Sequence, residues 1–180
     1  NRSEKNSAKN YMKQEIIDKL PADAQKEFLK LALKLEEKTK QEKVHDSFLD
    51  FVKHVWPEFI EGPHHKKIAE KFNQIAQGKI KRLIINMPPR HTKSEFASFL
   101  LPSWMVGRRP NLKIIQSTHT TELAIRFGRK AKTLMDSPEY KQVFKTRLRE
   151  DSQAAGKWET AQGGEYYAAG VGSAITGRGA

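Results

Sequence analysis

The feature that most constrains the fold is a short apolar run that leads into a polar turn and then into a helix. Leu83-Ile84-Ile85 is continuous and aliphatic, Pro88-Pro89 follows it, and from Ser94 onward the pattern is helical. A continuous apolar run is typical of a strand buried on both faces of a parallel sheet, and proline ends it because proline cannot donate to a strand ladder. The pattern therefore predicts a strand, a loop and a helix over residues 81–98.

The loop ends in Lys93-Ser94, a pair that suits a bound nucleotide. Main-chain N–H groups at a helix start attract phosphate, a lysine neutralises the β- and γ-phosphate oxygens, and a serine hydroxyl can ligate Mg²⁺. The match to G-x-x-x-x-G-K-[ST] is partial, because Met87 and Thr92 stand at the glycine positions. A β-branched threonine resists a positive φ, so we expect this loop to reach phosphate in a different conformation. A proline-stopped strand and a helix whose lysine lies in solvent would explain the same residues.

Residues 83–98 resemble the deviant Walker A motif of the large terminases, the DNA-packaging ATPases of tailed bacteriophages. In that family the loop commonly reads P-P-R-H-G-K-S, so within it only Thr92 departs. The resemblance extends to Gln116-Ser117-Thr118-His119 and to Thr176-Gly177-Arg178-Gly179-Ala180, and it covers roughly residues 57–180. The loop motif is specific, and the other two motifs support it.

The resemblance implies ATP and Mg²⁺ as cofactors and assigns residues to them. The catalytic residues would be Lys93, Arg90 and Arg178, with Arg178 acting as a finger on the ATP of a neighbouring subunit in a ring. The magnesium ligand would be Ser94. The ATP-binding residues would be Pro89, Arg90, His91, Thr92, Lys93, Ser94 and His65.

Two of these assignments have alternatives. His65 lies where the family often has a glutamine near the adenine, but a histidine pair in the first turn of a helix is also an ordinary feature and no metal motif without further ligands. An arginine between glycines, such as Arg178, is usually a surface residue. Arg126 and Arg129, one helical turn apart, would be the next finger candidates.

The charge of the chain predicts a polyanionic partner. Among the 180 residues, 33 are Lys or Arg and 21 are Asp or Glu, which gives a net charge of +12. Nucleic acid is the expected partner, although a piece of a larger protein can carry an imbalance that the rest neutralises. No cysteine is present, which excludes disulfides and thiolate zinc sites. The apolar runs are too short to span a membrane.

Periodicity predicts the remaining elements. Short aliphatic Lys113–Ser117 is expected as a second core strand, followed by a helix that begins at Thr118–Thr121, so that two strand-to-helix units favour a parallel sheet. The fold class expected is therefore α/β, a P-loop NTPase-like parallel sheet with flanking helices, after a helical N-terminal segment of residues 1–60. Residues 61–180 would be the N-terminal part of the ATPase domain. The other expected elements are helices over 11–20, 22–43, 47–56, 64–77, 94–107 with a break at Leu101-Pro102, and 137–144, and a hairpin of 157–160 with 165–169.

The resemblance implies a viral packaging motor that couples ATP hydrolysis to movement of double-stranded DNA into a procapsid, in a full protein that also cuts DNA. Its partners would be DNA, further copies in a ring, the portal protein and the small terminase subunit, in the host cell cytoplasm and without a membrane. The Walker B strand and the nuclease domain would follow residue 180, and without them we expect negligible hydrolysis. Alternative functions are a helicase-type DNA-dependent ATPase and a non-catalytic basic DNA-binding module.

Overall fold

The computed structural model describes residues 20–172, which are mixed α/β. The chain divides into two compact units, Asn1–Lys40 and Gln41–Ala180. The boundary predicted near residue 60 stays a prediction, and the helix just before it has its buried side chains in the core of the second unit. No helix within residues 20–172 has the length and apolar character needed to cross a bilayer.

The helices agree with the periodicity of the sequence. They are α1 (Ala22–Asp46), α2 (Phe48–Val55), α3 (Pro63–Ala76), α4 (Lys93–Glu95), α5 (Leu101–Arg108), α6 (Thr121–Asp136) and α7 (Pro138–Val143). Ser47 caps α2 by accepting from the N–H of Asp50, as expected for a serine at that position. Gly78 follows α3 with φ of 74°, which glycine adopts without strain. The helix predicted over 11–20 lies outside the described residues, except for Leu20.

A π-helical turn over Phe96–Leu100 separates α4 from α5. Proline inside a helix has no N–H and its ring collides with the carbonyl four residues earlier, so Pro102 cannot continue a regular α-helix. The helix instead takes one extra residue in this turn, so that the N–H of Leu101 donates to the carbonyl of Phe96, five residues earlier. The interruption predicted at Leu101-Pro102 is therefore confirmed, and it takes the form of a π-turn.

Within residues 20–172 the sheet has four strands, in the order β1-β4-β3-β2. The strands are β1 (Lys113–Thr118), β2 (Leu148–Ala154), β3 (Lys157–Thr160) and β4 (Glu165–Gly170). The second core strand and the hairpin of β3 with β4 were both expected, and the ring of Trp158 stacks on that of Tyr166 across the hairpin at 4.7 Å. Strand β2 was not expected, because its residues are mostly polar or charged and apolar residues do not alternate with them.

Two expectations about the sheet are wrong. The sheet is mixed, because β1 and β4 are parallel while β2, β3 and β4 are antiparallel neighbours. The run Leu83–Ile85, expected as a strand buried on both faces, is not a strand, and Ile84 is 86% exposed. Leu83 and Ile85 do pack against the core. The reason is that a strand exists only beside a partner, and within residues 20–172 no segment pairs with this run.

An aromatic cluster holds the helix that follows the loop. Phe96 is fully buried, with its ring centroid 5.4 Å from that of Phe48 and 5.5 Å from that of Phe59. Phe48 also contacts Phe72 and Trp104 edge-on. Burial of a ring of this size contributes about 2–3 kcal/mol. Because Phe96 lies three residues after Lys93, the core fixes the position at which the loop must end.

Candidate functional site

The loop between Met87 and Lys93 contains two unusual backbone conformations. Arg90 has φ of 65° and Thr92 has φ of 56°, and they are the only non-glycine residues with positive φ in the described part of the chain. Such conformations cost roughly 1–3 kcal/mol each and are found where a functional site needs them. The expectation that Thr92 would force a different conformation is wrong, since Thr92 adopts the left-handed conformation that glycine would adopt.

A buried histidine is hydrogen-bonded to the side chain of Thr92. Nε2 of His65 lies 2.7 Å from Oγ1 of Thr92, and the N–H of Gly62 donates to Nδ1 of the same ring over 2.8 Å. The hydroxyl of Thr92 then donates to the carbonyl of His91 at 2.7 Å. A continuous chain of hydrogen bonds therefore runs from the start of α3 into the loop.

The surroundings of His65 favour its neutral form. The residue is only 5% exposed, and its ring packs against Phe59 and Phe96 with centroid distances of 4.7 and 5.1 Å. Burial lowers the pKa of His65 below its usual value, and the neighbouring His64 lowers it further, because both disfavour a positive ring. Since Gly62 N–H can only donate, Nδ1 must accept, so the proton of the neutral ring is on Nε2 and is donated to Thr92.

Lys93 lies across the loop without an acidic partner. Its Nζ donates to the carbonyl of Met87 at 3.3 Å, and among the described residues it makes no ion pair. Arg90 and Ser94 are exposed, and within residues 20–172 neither side chain has a hydrogen-bond partner. The loop therefore presents an ammonium, a guanidinium and a hydroxyl that remain available to a ligand.

The exposed residues His91 and Pro89 are hydrogen-bonded to each other across the loop. Nδ1 of His91 lies 2.8 Å from the carbonyl of Pro89, and because a carbonyl can only accept, the ring nitrogen donates. This hydrogen bond spans Arg90, one of the two residues with positive φ. The two ends of the tight turn are thus joined by a side chain.

A cavity of about 510 Å³ adjoins the loop, with Arg90 and Thr92 in its wall. Trp56 at the end of α2 and Phe99 in the π-turn supply its aromatic surface. Lys130 of α6 lies over the Phe99 ring at 5.1 Å and 3.8 Å from the carboxylate of Glu95. Cavities of this size, apolar with a few polar groups, are typical of small-molecule sites.

Two further cavities differ from this one in their position. One cavity of about 430 Å³ is lined by Lys93 and Ser94 at the start of α4 and by Leu83 and Ile85 of the apolar run. Another of about 680 Å³ is lined by residues from Met135 to Glu150 and shares none with the loop. Size alone therefore does not single out a site; contact with the loop sets apart the cavity beside Trp56, through Arg90 and Thr92, and the 430 Å³ cavity, through Lys93.

The turn after β1 is closed by hydrogen bonds of its own residues. The hydroxyl of Thr118 donates to the carbonyl of Thr120, whose own hydroxyl accepts from the N–H of Leu123. No hydrogen bond within residues 20–172 connects this turn to the loop of residues 87–93. Arg178, with the segment 176–180, lies outside the described residues. Arg126 and Arg129 are exposed on α6, as expected.

Three residues that line the cavity beside the loop were not expected from the sequence: Trp56, Glu95 and Lys130. Glu95 and Phe99 are four residues apart, which places them on one face of a helix, and this spacing was the only sequence signal. Lys130 is 35 positions further along the chain than Glu95 in a different helix, and nothing local in the sequence predicts that they meet.

Ser94, at the start of α4, is the candidate metal ligand. Among residues 20–172, no group of three or more His, Cys, Asp or Glu side chains is arranged to hold a metal ion. The unpartnered hydroxyl of Ser94 fits one position on Mg²⁺, which in nucleotide sites takes its other ligands from phosphates and water. Comparison with protein-family models, curated proteins and solved structures finds no match to this chain.

Proposed function

We propose that the chain binds ATP with Mg²⁺ at the loop of residues 87–94, as the ATP-binding part of a DNA-translocating ATPase of the large-terminase type. One observation carries the proposal: within residues 20–172, Lys93 lies over the loop with only a carbonyl partner, and Arg90 of the same loop has no side-chain partner. Two like charges in one short loop repel each other, and a polyphosphate would offset both. The strain at Arg90 and Thr92 is consistent with a loop shaped for a ligand.

Each loop residue has a distinct role in this proposal. Lys93 would neutralise the β- and γ-phosphate oxygens, and Arg90 would hold the γ-phosphate through paired N–H donors. Ser94 would supply a hydroxyl to Mg²⁺, which when bound shields the phosphate charge. Pro89 and His91 would hold the turn in shape through the hydrogen bond that spans Arg90.

The cavity beside Trp56 would take the base and ribose of the nucleotide. Its volume of about 510 Å³ is adequate, and an indole ring offers a stacking surface. The assignment of His65 to the adenine stays a prediction. Both of its ring nitrogens are used by Gly62 and Thr92, so a contact with the base would have to come from the ring face or its edge carbons.

The net charge of +12 supports double-stranded DNA as the partner of the ATPase. By the resemblance of the loop, the protein would work as a ring in the host cell cytoplasm with a portal protein and a small terminase subunit, packaging DNA into a procapsid. Arg178 would act on the ATP of an adjacent subunit. Hydrolysis also needs a carboxylate that orients water, which in such proteins follows an aliphatic strand.

The alternatives differ in what they bind and do. A non-catalytic DNA-binding module would use Arg90 and Lys93 on the DNA backbone and would show no affinity for ATP. A helicase-type ATPase would bind ATP at the same loop, and duplex unwinding would distinguish it from a motor that moves intact duplex DNA.

The test is a titration of the chain with ATP–Mg²⁺ and with inorganic tripolyphosphate, in wild type, Lys93→Ala and Lys81→Ala. The two substitutions remove the same charge, but Lys81 is exposed before the loop. We expect Lys93→Ala to abolish binding of both ligands and Lys81→Ala to leave it within a factor of about two. Equal ATP affinity in wild type and Lys93→Ala would refute the proposed site.

A further inference from the structure

We propose that His65 is a positioning residue, which keeps Thr92 in the left-handed conformation and thereby presets the loop for phosphate. The part that concerns phosphate rests on the proposed function, whereas the part that concerns the shape of the loop does not. His65 and Thr92 together would replace the glycine that a phosphate loop of this kind commonly has before its lysine.

The hydrogen bonds leave His65 little freedom. Gly62 N–H fixes Nδ1 as an acceptor at 2.8 Å, so Nε2–H points at Thr92 Oγ1, 2.7 Å away. The ring packs against both Phe59 and Phe96, which also contact each other, and the fully buried Phe96 follows the short helix that begins with Lys93. The anchor point for Thr92 is therefore fixed by the core of the unit rather than by the loop.

Thr92 needs such an anchor because its backbone conformation is disfavoured. A β-branched residue with φ of 56° has crowded contacts that glycine lacks. The hydroxyl offsets this cost by accepting from His65 and donating to the carbonyl of His91, and both bonds require the side chain and the backbone to hold this arrangement. Without the N–H donor of His65, an extended backbone at Thr92 becomes similar in free energy to the left-handed one. The main-chain N–H groups of the loop then no longer keep one fixed arrangement.

The experiment compares His65→Phe with His65→Gln, each in the wild-type and the Thr92→Gly background. Phenylalanine keeps a ring in contact with Phe59 and Phe96 but has no donor. Glutamine keeps an N–H donor near the position of Nε2. The readouts are the affinity for ATP–Mg²⁺ and for tripolyphosphate, and the three-bond HN–Hα coupling of Thr92, which reports its φ without any ligand.

We expect His65→Phe to lower the affinity for both ligands about tenfold and to change the HN–Hα coupling of Thr92. His65→Gln should keep both affinities within about twofold of wild type. In the Thr92→Gly background His65→Phe should have no effect, because glycine needs no anchor. Should His65→Phe fail to fold, Thr92→Val removes the same hydrogen bond from the other side, and we expect the same loss of affinity.

An equal loss from His65→Phe in both backgrounds would overturn the proposal, because His65 would then act on the nucleotide or on the fold. An unchanged coupling of Thr92 in His65→Phe would also overturn it. Failure of the proposed function has a different signature: wild type binds neither ligand, while the coupling of Thr92 still changes in His65→Phe.

Discussion

The two turns that lead into helices α4 and α6 are built in opposite ways. The turn after β1 satisfies its own hydrogen bonds: Thr120 caps α6, Thr118 donates to the carbonyl of Thr120, and the N–H of Val171 donates to Thr118. The loop of residues 87–93 has strained residues and, as far as the described residues 20–172 show, a lysine without an acidic partner and an exposed arginine without any.

The difference separates a structural turn from a candidate site, although each turn leads from an aliphatic run into a helix. A turn whose polar groups are satisfied internally gains little from a ligand. A loop that stores strain and leaves like charges unpaired is stabilised by an anion. The comparison predicts that changes in the first turn affect stability and changes in the loop affect ligand affinity.

The largest expected effect is a loss of stability, and it comes from a glycine that packs against the turn after β1. Gly170 at the end of β4 packs so closely on the start of α6 that a Cβ would lie 2.4 Å from the N of Thr121. Gly170→Ala therefore forces a backbone shift and should lower the free energy of unfolding by roughly 3 kcal/mol. Denaturant unfolding measures this, and the folded fraction should bind ATP normally. A neutral substitution would show that the contact is looser than this distance implies.

The next effect concerns the loop. Arg90→Ala should weaken ATP binding about 30-fold, because charge-assisted hydrogen bonds to the γ-phosphate contribute about 2 kcal/mol, and it should change ADP binding little. His119→Ala, an exposed residue of the other turn, is the control and should change neither. Calorimetric titration with both nucleotides gives the comparison. An equal loss for ADP would place Arg90 on another phosphate.

The elements that local chemistry determines could be predicted from the sequence. The helices predicted over 47–56 and 64–77 and the hairpin of β3 with β4 each depend on residues close together in the chain, and all three are confirmed. The loop itself was placed correctly between an apolar run and a helix. Its candidate cations, Arg90 and Lys93, are where the motif put them.

What could not be predicted depends on distant partners. Leu83–Ile85 and Lys113–Thr118 are both short aliphatic runs, but only the second has a neighbouring strand in the described residues, β4. The conformation of Thr92 depends on His65, 27 positions earlier, and neither residue alone signals it. Local propensity favours an extended threonine, and the tertiary hydrogen bond overrides it.

A smaller pair of effects comes from the same substitution in both turns. Thr120→Ala removes a helix cap and should lower the free energy of unfolding by about 1 kcal/mol without changing ATP affinity. Thr92 stands at the same position before α4 but caps nothing with its side chain. Thr92→Ala should therefore change stability little and weaken ATP binding about fivefold. A reversed pattern would contradict the division of roles between the two turns.

The smallest expected effect is a pH dependence that comes from His65. Its pKa is lowered from the usual 6.5, first by burial and then by His64, with a smaller contribution from His91 and an opposing one from Glu61. The unfolded chain therefore takes up a proton as the pH falls below about 6.5, while the folded chain does not. The contribution of His65 to stability is complete above that pH and declines as the pH falls towards the folded pKa. Urea unfolding at pH 5 to 8 should show stability rising with pH in wild type, and the slope should be smaller in His65→Gln. His119→Gln, with an exposed side chain in the other turn, is the matched control and should keep the wild-type slope. If His65→Gln retained the full slope, the acid sensitivity would come from other groups, and burial of a neutral His65 would not explain it.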